Sequence, residues 1–209
     1  MTALPTLRPA TADDVEAVAE LWHRGWHDGH AGHVPAGLTR ARTRSAFGER
    51  VPGMLAMTTV AEVAVGSRGR GLVPNPDIPV QRVAVRDHWV GHRTSSDANR
   101  PYRPQEADVE GGREVAGFVT VVDDEVEQVF VGGPHRGTAV AGTLLDEAER
   151  QVAAQGYDEA WLAVVAGNAR ARRFYERRGW ANGGDLPYEV SAGGATYISP
   201  CRRYVKRVR

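Results

Sequence analysis

Residues 125–131 read EVEQVFV, the turn GGPHRG follows, and TAVAGTLLDEAERQVAAQG continues to Gly156. The first piece is β-branched enough for a strand. In the last piece Val140, Leu144, Leu145, Ala148 and Val152 recur at helical spacing, with Gly156 as a stop. A strand that turns within a few residues into a helix commits the chain to α/β architecture. The opening of this helix is built from Thr138, Ala139, Ala141 and Gly142, residues with little or no side chain. A helix start offers free backbone N–H groups and the positive end of the dipole, and small side chains let an anion reach them. The segment has no Gly-Lys-Ser/Thr of a P-loop, and its spacing does not match the GxGxxG dinucleotide fingerprint.

Composition narrows the setting of that anion site. A length of 209 residues suits one sizeable domain and is short for two. Lysine plus arginine and aspartate plus glutamate balance at 26 each, so no global field draws the protein to nucleic acid or to an anionic membrane. Phosphate binding must therefore be local. The lone Cys201 excludes an internal disulfide and a CxxC zinc site. MTALPTLRPA lacks the apolar core of a signal peptide, and no run reaches the roughly 20 apolar residues of a membrane span. The expectation is a soluble cytoplasmic protein, monomer or homodimer, with no nucleic acid and no membrane as partners.

Along the chain, residues 7–10 read as a first strand, and Thr11 with Asp13 and Asp14 opens a helix. Its apolar face is Val15, Val18, Ala19, Trp22 and Trp26, and Gly29 is its expected end. A second helix is expected over residues 38–50, stopped by Val51-Pro52. A strand follows at residues 57–65. Residues 66–112 hold five of the twelve prolines and few aromatics, the composition of an irregular insertion, in which only VQRVAVRDHWV is strand-like. Residues 115–122 and 125–131, joined at Asp123-Asp124, make a hairpin. Beyond the central helix come the buried strand 161–165, a short helix capped by Asn168, and strands near residues 188–190 and 196–205. The order is β-α-α-β-(insertion)-β-β-α-β-α-β-β, an α/β domain with a mixed sheet.

VEQVFVGGPHRGTAVAGTLLDEAE followed by AWLAVVAGNARARRFYERRGW resembles the two central motifs of the GNAT N-acetyltransferase superfamily. The resemblance implies a mainly antiparallel sheet flanked by helices, with acetyl-coenzyme A as cosubstrate and no metal. It implies that Arg136, Gly137, Thr138, Ala139, Ala141 and Gly142 line the pyrophosphate. Val129 and Val131 would offer main-chain groups to the pantetheine arm, and Asn168 and Tyr175 would flank its thiol end. Ala139 stands where the family usually has a glycine, and its methyl would crowd the phosphate. Of the arginines after Asn168, Arg172 or Arg173 is expected to reach a coenzyme phosphate. Tyr175 is the expected general acid.

Glu127, with Glu125 as second choice, is the expected base, because alternation places it on the strand face of Val129 and Val131. His23 and His27 stand one helical turn apart, but no third ligand follows at a recognisable spacing. Trp26, His30 and His33 are expected to shape the acceptor pocket instead. The activity implied is direct acetyl transfer to a primary amine of a small molecule or peptide. Cys201, expected outside the slot, does not argue for a covalent intermediate. Two alternatives stay open: a non-catalytic acyl-coenzyme A-binding module, and a donor with a longer acyl chain.

Overall fold

The structure is a computed structural model, and it describes residues 4–64 and 112–209. The expected insertion at residues 66–112, with its strand-like piece VQRVAVRDHWV, lies outside the described residues apart from Gly112.

Among the described residues seven strands form one sheet in the order β1-β2-β3-β4-β5-β7-β6. They are β1 (Thr6–Pro9), β2 (Thr58–Ala64), β3 (Arg113–Val122), β4 (Glu125–Val131), β5 (Glu159–Val165), β6 (Ala181–Ala192) and β7 (Ala195–Arg207). Every neighbouring pair is antiparallel except β4 and β5. The mixed, mainly antiparallel sheet expected from the sequence is therefore present. The β3–β4 turn places Asp123 at φ 54°, a left-handed conformation that aspartate tolerates better than most residues.

Alternation along the strands divides the core in two. Val60 and Phe118 pack on one face with Val18, Trp22, Trp26, Leu38 and Phe47 from α1 (Val15–His30), α2 (Ala36–Ala41) and α3 (Arg44–Arg50). Ala61 and Val119 face the other way, against Leu144, Leu145, Ala148 and Val152 of α4 (Val140–Ala154), in a cluster that also holds Tyr175 of α5 (Ala169–Arg177). Trp22 is almost fully buried with its ring 4.9 Å from that of Phe47. Truncating such an aromatic costs about 3–5 kcal/mol. At the edge of the sheet Arg8 bridges Asp14 and Glu62, each at 2.7 Å, and Thr11 N–H donates to the Asp14 carboxylate at 2.7 Å. These bonds hold the Asp14 carboxyl down at about 2.

Three boundaries differ from the sequence reading. The expected second helix is two, because Arg42 leaves helical geometry and Thr43 caps α3 by accepting from Ala46 N–H at 3.2 Å. The last two strands are longer than expected and pair along a continuous hairpin. Gly29 does not end α1, which runs on to His30. Its glycines serve close packing instead: a Cβ on Gly25 would sit 2.5 Å from the Phe130 ring, and one on Gly29 would sit 2.8 Å from Asn168 Nδ2.

Candidate active site

β4 and β5 run side by side at one point only. Among the described residues Glu125 and Trp161 are their single paired position, and Trp161 N–H donates to the Asp124 carbonyl at 2.9 Å. The β3–β4 ladder shows why β4 turns away. Thr120 faces Gln128 and Val121 faces Val126, so Glu127 has no counterpart and forms a bulge. A bulge bends its strand and increases the local twist. Past it, the two strands border a cleft of about 550 Å³ walled by β4, β5, the start of α4, α5 and the glycine face of α1.

The bulge also corrects the expected side-chain phase. Val126, Val129 and Val131 pack towards the α4 side and Phe130 towards α1. Glu127 therefore does not share a simple alternating face with Val129 and Val131.

At the α4 end the chain makes a short 3₁₀ turn over Gly133–His135 and then a left-handed step at Gly137, φ 77°. Glycine takes that step without strain. Helix α4 starts at Val140 rather than at Thr138, with Ala139 as its cap in ordinary helical dihedrals. The N–H groups of Gly137, Ala139, Ala141 and Gly142 have no backbone acceptor among the described residues. Together with the helix dipole they form a cradle suited to a diphosphate. Arg136, Gly137, Thr138 and Ala141 line the cleft, as do Val129 and Val131. Ala139 is exposed outside the lining, so its methyl does not crowd the cleft. Gly142 faces Arg178 instead, whose guanidinium pairs with Asp146.

On α5, Asn168 is both helix cap and cleft wall: its Oδ1 accepts from Ala171 N–H at 3.1 Å. Arg172 does not reach the cleft. Its Nε donates to the Tyr204 hydroxyl at 3.2 Å and its Nη1 to the Ala166 carbonyl at 3.3 Å. The cleft face of α5 is Arg170, Ala171, Phe174, Tyr175 and Arg177, so Arg170 and Arg177 are the cations beside it. Helical spacing from the Asn168 cap would have found them, since residues 170, 174 and 177 share a face. Tyr175 is buried against Phe174, Trp180 and Tyr204. Among the described residues nothing bonds its hydroxyl, and burial pushes its pKa up, keeping the phenol protonated.

A second pocket of about 360 Å³ adjoins the cleft. The two share His30, Glu127, Gln128, Ala163 and Val165. His30 stacks on Trp26 with centroids 4.7 Å apart, and its Nδ1–H donates to the Trp26 carbonyl at 2.8 Å. Because a carbonyl can only accept, Nε2 is left as an acceptor. Burial holds this imidazole at about 4, hence neutral. Glu125 accepts from the Tyr188 hydroxyl at 3.2 Å, and burial raises its carboxyl to about 7. Trp26 lines the pocket as expected, but His33 does not. Its ring lies over Gly167, where a Cβ would clash with it, in a separate depression beside Pro35 and Pro200. Cys201 stays out of the cleft but does line the second pocket, its thiol pushed up by burial. Arg42 and Arg50, which no local sequence pattern singled out, also line this pocket.

The same fold occurs in solved structures. A GCN5-related N-acetyltransferase from Rhodopseudomonas palustris is 17% identical at TM-score 0.56, with 97% of this chain and 96% of that one covered. An N-acetyltransferase from Staphylococcus aureus Mu50 is 13% identical at TM-score 0.57, covering 99% and 100%. YncA, a putative acetyltransferase from Salmonella typhimurium solved with its cofactor acetyl-CoA, is 13% identical at 0.54, covering 99% and 95%. At these identities the likeness is one of fold. The curated proteins contain no match to the sequence. Residues 78–180 match the family model described as the acetyltransferase (GNAT) family.

Over those residues the chain matches the GNAT acetyltransferase family. Members of that family act on amine acceptors, and the divided sheet with a cleft at the division is how this chain arranges the fold. Among the described residues no group of three or more His, Cys, Asp or Glu side chains could hold a metal ion, and no helix is long and apolar enough to cross a membrane.

Proposed function

We propose that the protein is an acetyl-coenzyme A-dependent N-acetyltransferase that moves the acetyl group directly to a primary amine. The observation that carries this reading is the meeting of cleft and pocket at His30, Glu127, Gln128, Ala163 and Val165. Two substrates can enter from opposite sides and touch there, which converts a bimolecular reaction into an intramolecular one.

The free amides of Gly137, Ala139, Ala141 and Gly142, with Arg136, Arg170 and Arg177 nearby, suit the phosphates of the coenzyme. The main chain of Val129 and Val131 borders the path of its pantetheine arm. Bound there, the coenzyme supplies an acetyl group activated as a thioester. Glu125 takes a proton from the incoming ammonium so that the nitrogen can bond the acetyl carbon. A carboxyl near 7 suits that task, and Glu125 is the base in this reading. Glu127, at the junction, positions the amine. The Tyr175 hydroxyl, neutral by burial, gives its proton to the sulfur as the carbon–sulfur bond breaks, and the second proton leaving the nitrogen restores the phenol. Direct transfer is favoured because Cys201, the one thiol, is a protonated group away from the cleft.

The test is release of free thiol from acetyl-coenzyme A in the presence of a panel of primary amines, with the acetylated amine identified by mass. Tight coenzyme binding without thiol release for any amine would instead support a binding module.

A further inference from the structure

We infer that the acceptor is a small amine that also carries an oxyanion, a carboxylate in the first instance, which Arg42 and Arg50 hold at the α2–α3 side of the second pocket. This rests on the transfer reading above and adds the class of acceptor to it.

The argument starts from Arg42. Its backbone is fixed on both sides: its N–H donates to the Leu38 carbonyl at 3.1 Å, and its carbonyl accepts from His27 Nε2 at 2.8 Å. That anchoring sends the side chain inward, where the residue is only 7% exposed. Its guanidinium lies 5.9 Å from the Phe47 ring centroid, and its Nε has no hydrogen-bond partner among the described residues. Arg50, the last residue of α3, lays its guanidinium over Trp22 at 4.7 Å. Neither arginine makes an ion pair among the described residues, although Glu125, Glu127 and Glu189 line the same pocket.

A buried guanidinium without a counterion is costly, and two cations facing one pocket repel each other as well. A second donor is stranded in the same place: the Trp22 indole N–H is buried with no acceptor, and Trp22 also lines the pocket. The unmet need is thus for acceptor oxygens carrying negative charge. The planar fork of arginine matches a carboxylate or phosphonate in two-point fashion. Glu125 and Glu127 line the same pocket, so it offers cations to an anion and carboxylates to an ammonium. That polarity suits an amino acid-like zwitterion, and about 360 Å³ is room for a molecule of that size.

The test compares common α-amino acids and aminoalkylphosphonates with their carboxamides and decarboxylated amines, using the full chain and acetyl-coenzyme A. Thiol release gives kcat/KM, and quenching of tryptophan emission gives acceptor binding to the coenzyme-loaded protein. The anionic amines should be preferred over neutral counterparts by about tenfold or more. In Arg50→Gln and Arg42→Met that preference should fall towards unity, mainly through KM. Arg42→Met should also melt no lower than the unsubstituted protein, since it removes a buried unpaired charge. If Arg42→Met does not fold, Arg50→Gln alone carries the comparison. Neutral amines used as well as or better than anionic ones, or an undiminished preference in the folded variants, overturns the inference. Charge-dependent quenching lost in the variants, without thiol release from any amine, supports the anion site while sinking the transfer reading. Absence of both overturns the inference as well.

Discussion

Arg136, in the wall of the cleft, holds Asp28: its Nη2 donates to Asp28 Oδ2 at 2.6 Å, and its Nε donates to the Val131 carbonyl at 3.3 Å. The arginine expected at the coenzyme phosphate is thus already engaged with a carboxylate of α1 and with a carbonyl of the cleft wall. A phosphate that takes this guanidinium has to displace Asp28. Asp28 is half exposed, and pairs of that kind are worth about 0.2–1 kcal/mol. Asp28→Asn should therefore tighten coenzyme A binding by about two- to fivefold, and Arg136→Ala should weaken it by about tenfold. Calorimetry on both variants reads this directly. Weaker binding in Asp28→Asn would show the pair to be a support of the site rather than a competitor.

The raised Glu125 carboxyl gives two pH dependences of known sign. Transfer should rise with pH through about 7 as the carboxylate forms, and Glu125→Gln should remove that limb of kcat/KM. The folded protein holds the proton more tightly than the unfolded chain, so this group's stabilising contribution is full below about 4.5 and is lost as pH rises to about 7. Glu125→Gln should accordingly flatten the fall in melting temperature across that interval. A variant that keeps both the activity limb and the stability slope would return the base role to Glu127.

Tyr175→Phe removes one hydroxyl from a packed aromatic cluster without changing its shape. Turnover should drop by at least about tenfold with coenzyme affinity little changed. Wild-type turnover with a good amine across pH 6 to 9, an assay range set on the order of the general-acid window, would exclude the phenol as acid.

Gly25 is held to glycine by the Phe130 ring, 2.5 Å from where a Cβ would stand. Gly25→Leu should lower stability by about 1–3 kcal/mol and weaken coenzyme binding, because α1 or Phe130 must move at the cleft wall. Gly53→Ala, with no heavy atom within 4 Å of the added methyl, is the matched control for melting temperature.

The sequence carried the α4 start and the Asn168 cap plainly, because both are local: small residues after a strand, and a side chain that reaches three residues on. The phase of α5 is equally local, but which arginine faces the cleft is not: the bonds to Tyr204 and Ala166 turn Arg172 away from it, where Arg170 and Arg177 stand. Glu127 does line the cleft, but simple alternation is not what puts it there. A bulge is a property of two paired strands, here set by the register of Thr120 and Val121, and alternation within one strand cannot reveal it. Arg42 and Arg50 were invisible altogether, since they become neighbours of Glu125 and Tyr188 only when α2 and α3 fold over the sheet.

The single pairing of Glu125 with Trp161 leaves the sheet as two half-sheets, β1 to β4 and β5 to β7, clasped at one point. Along residues 126–131 and 162–165 each half presents, to the other, a β-edge in the middle of the molecule rather than at its rim. Such edges are templates for strand addition, and pantetheine, with its two amides on an extended chain, can satisfy them as a peptide would. The coenzyme would then act as a strand of the protein for as long as it stays bound. Amide exchange should slow along both inner edges when it arrives, and the two halves should melt as one more cooperative body than they do alone.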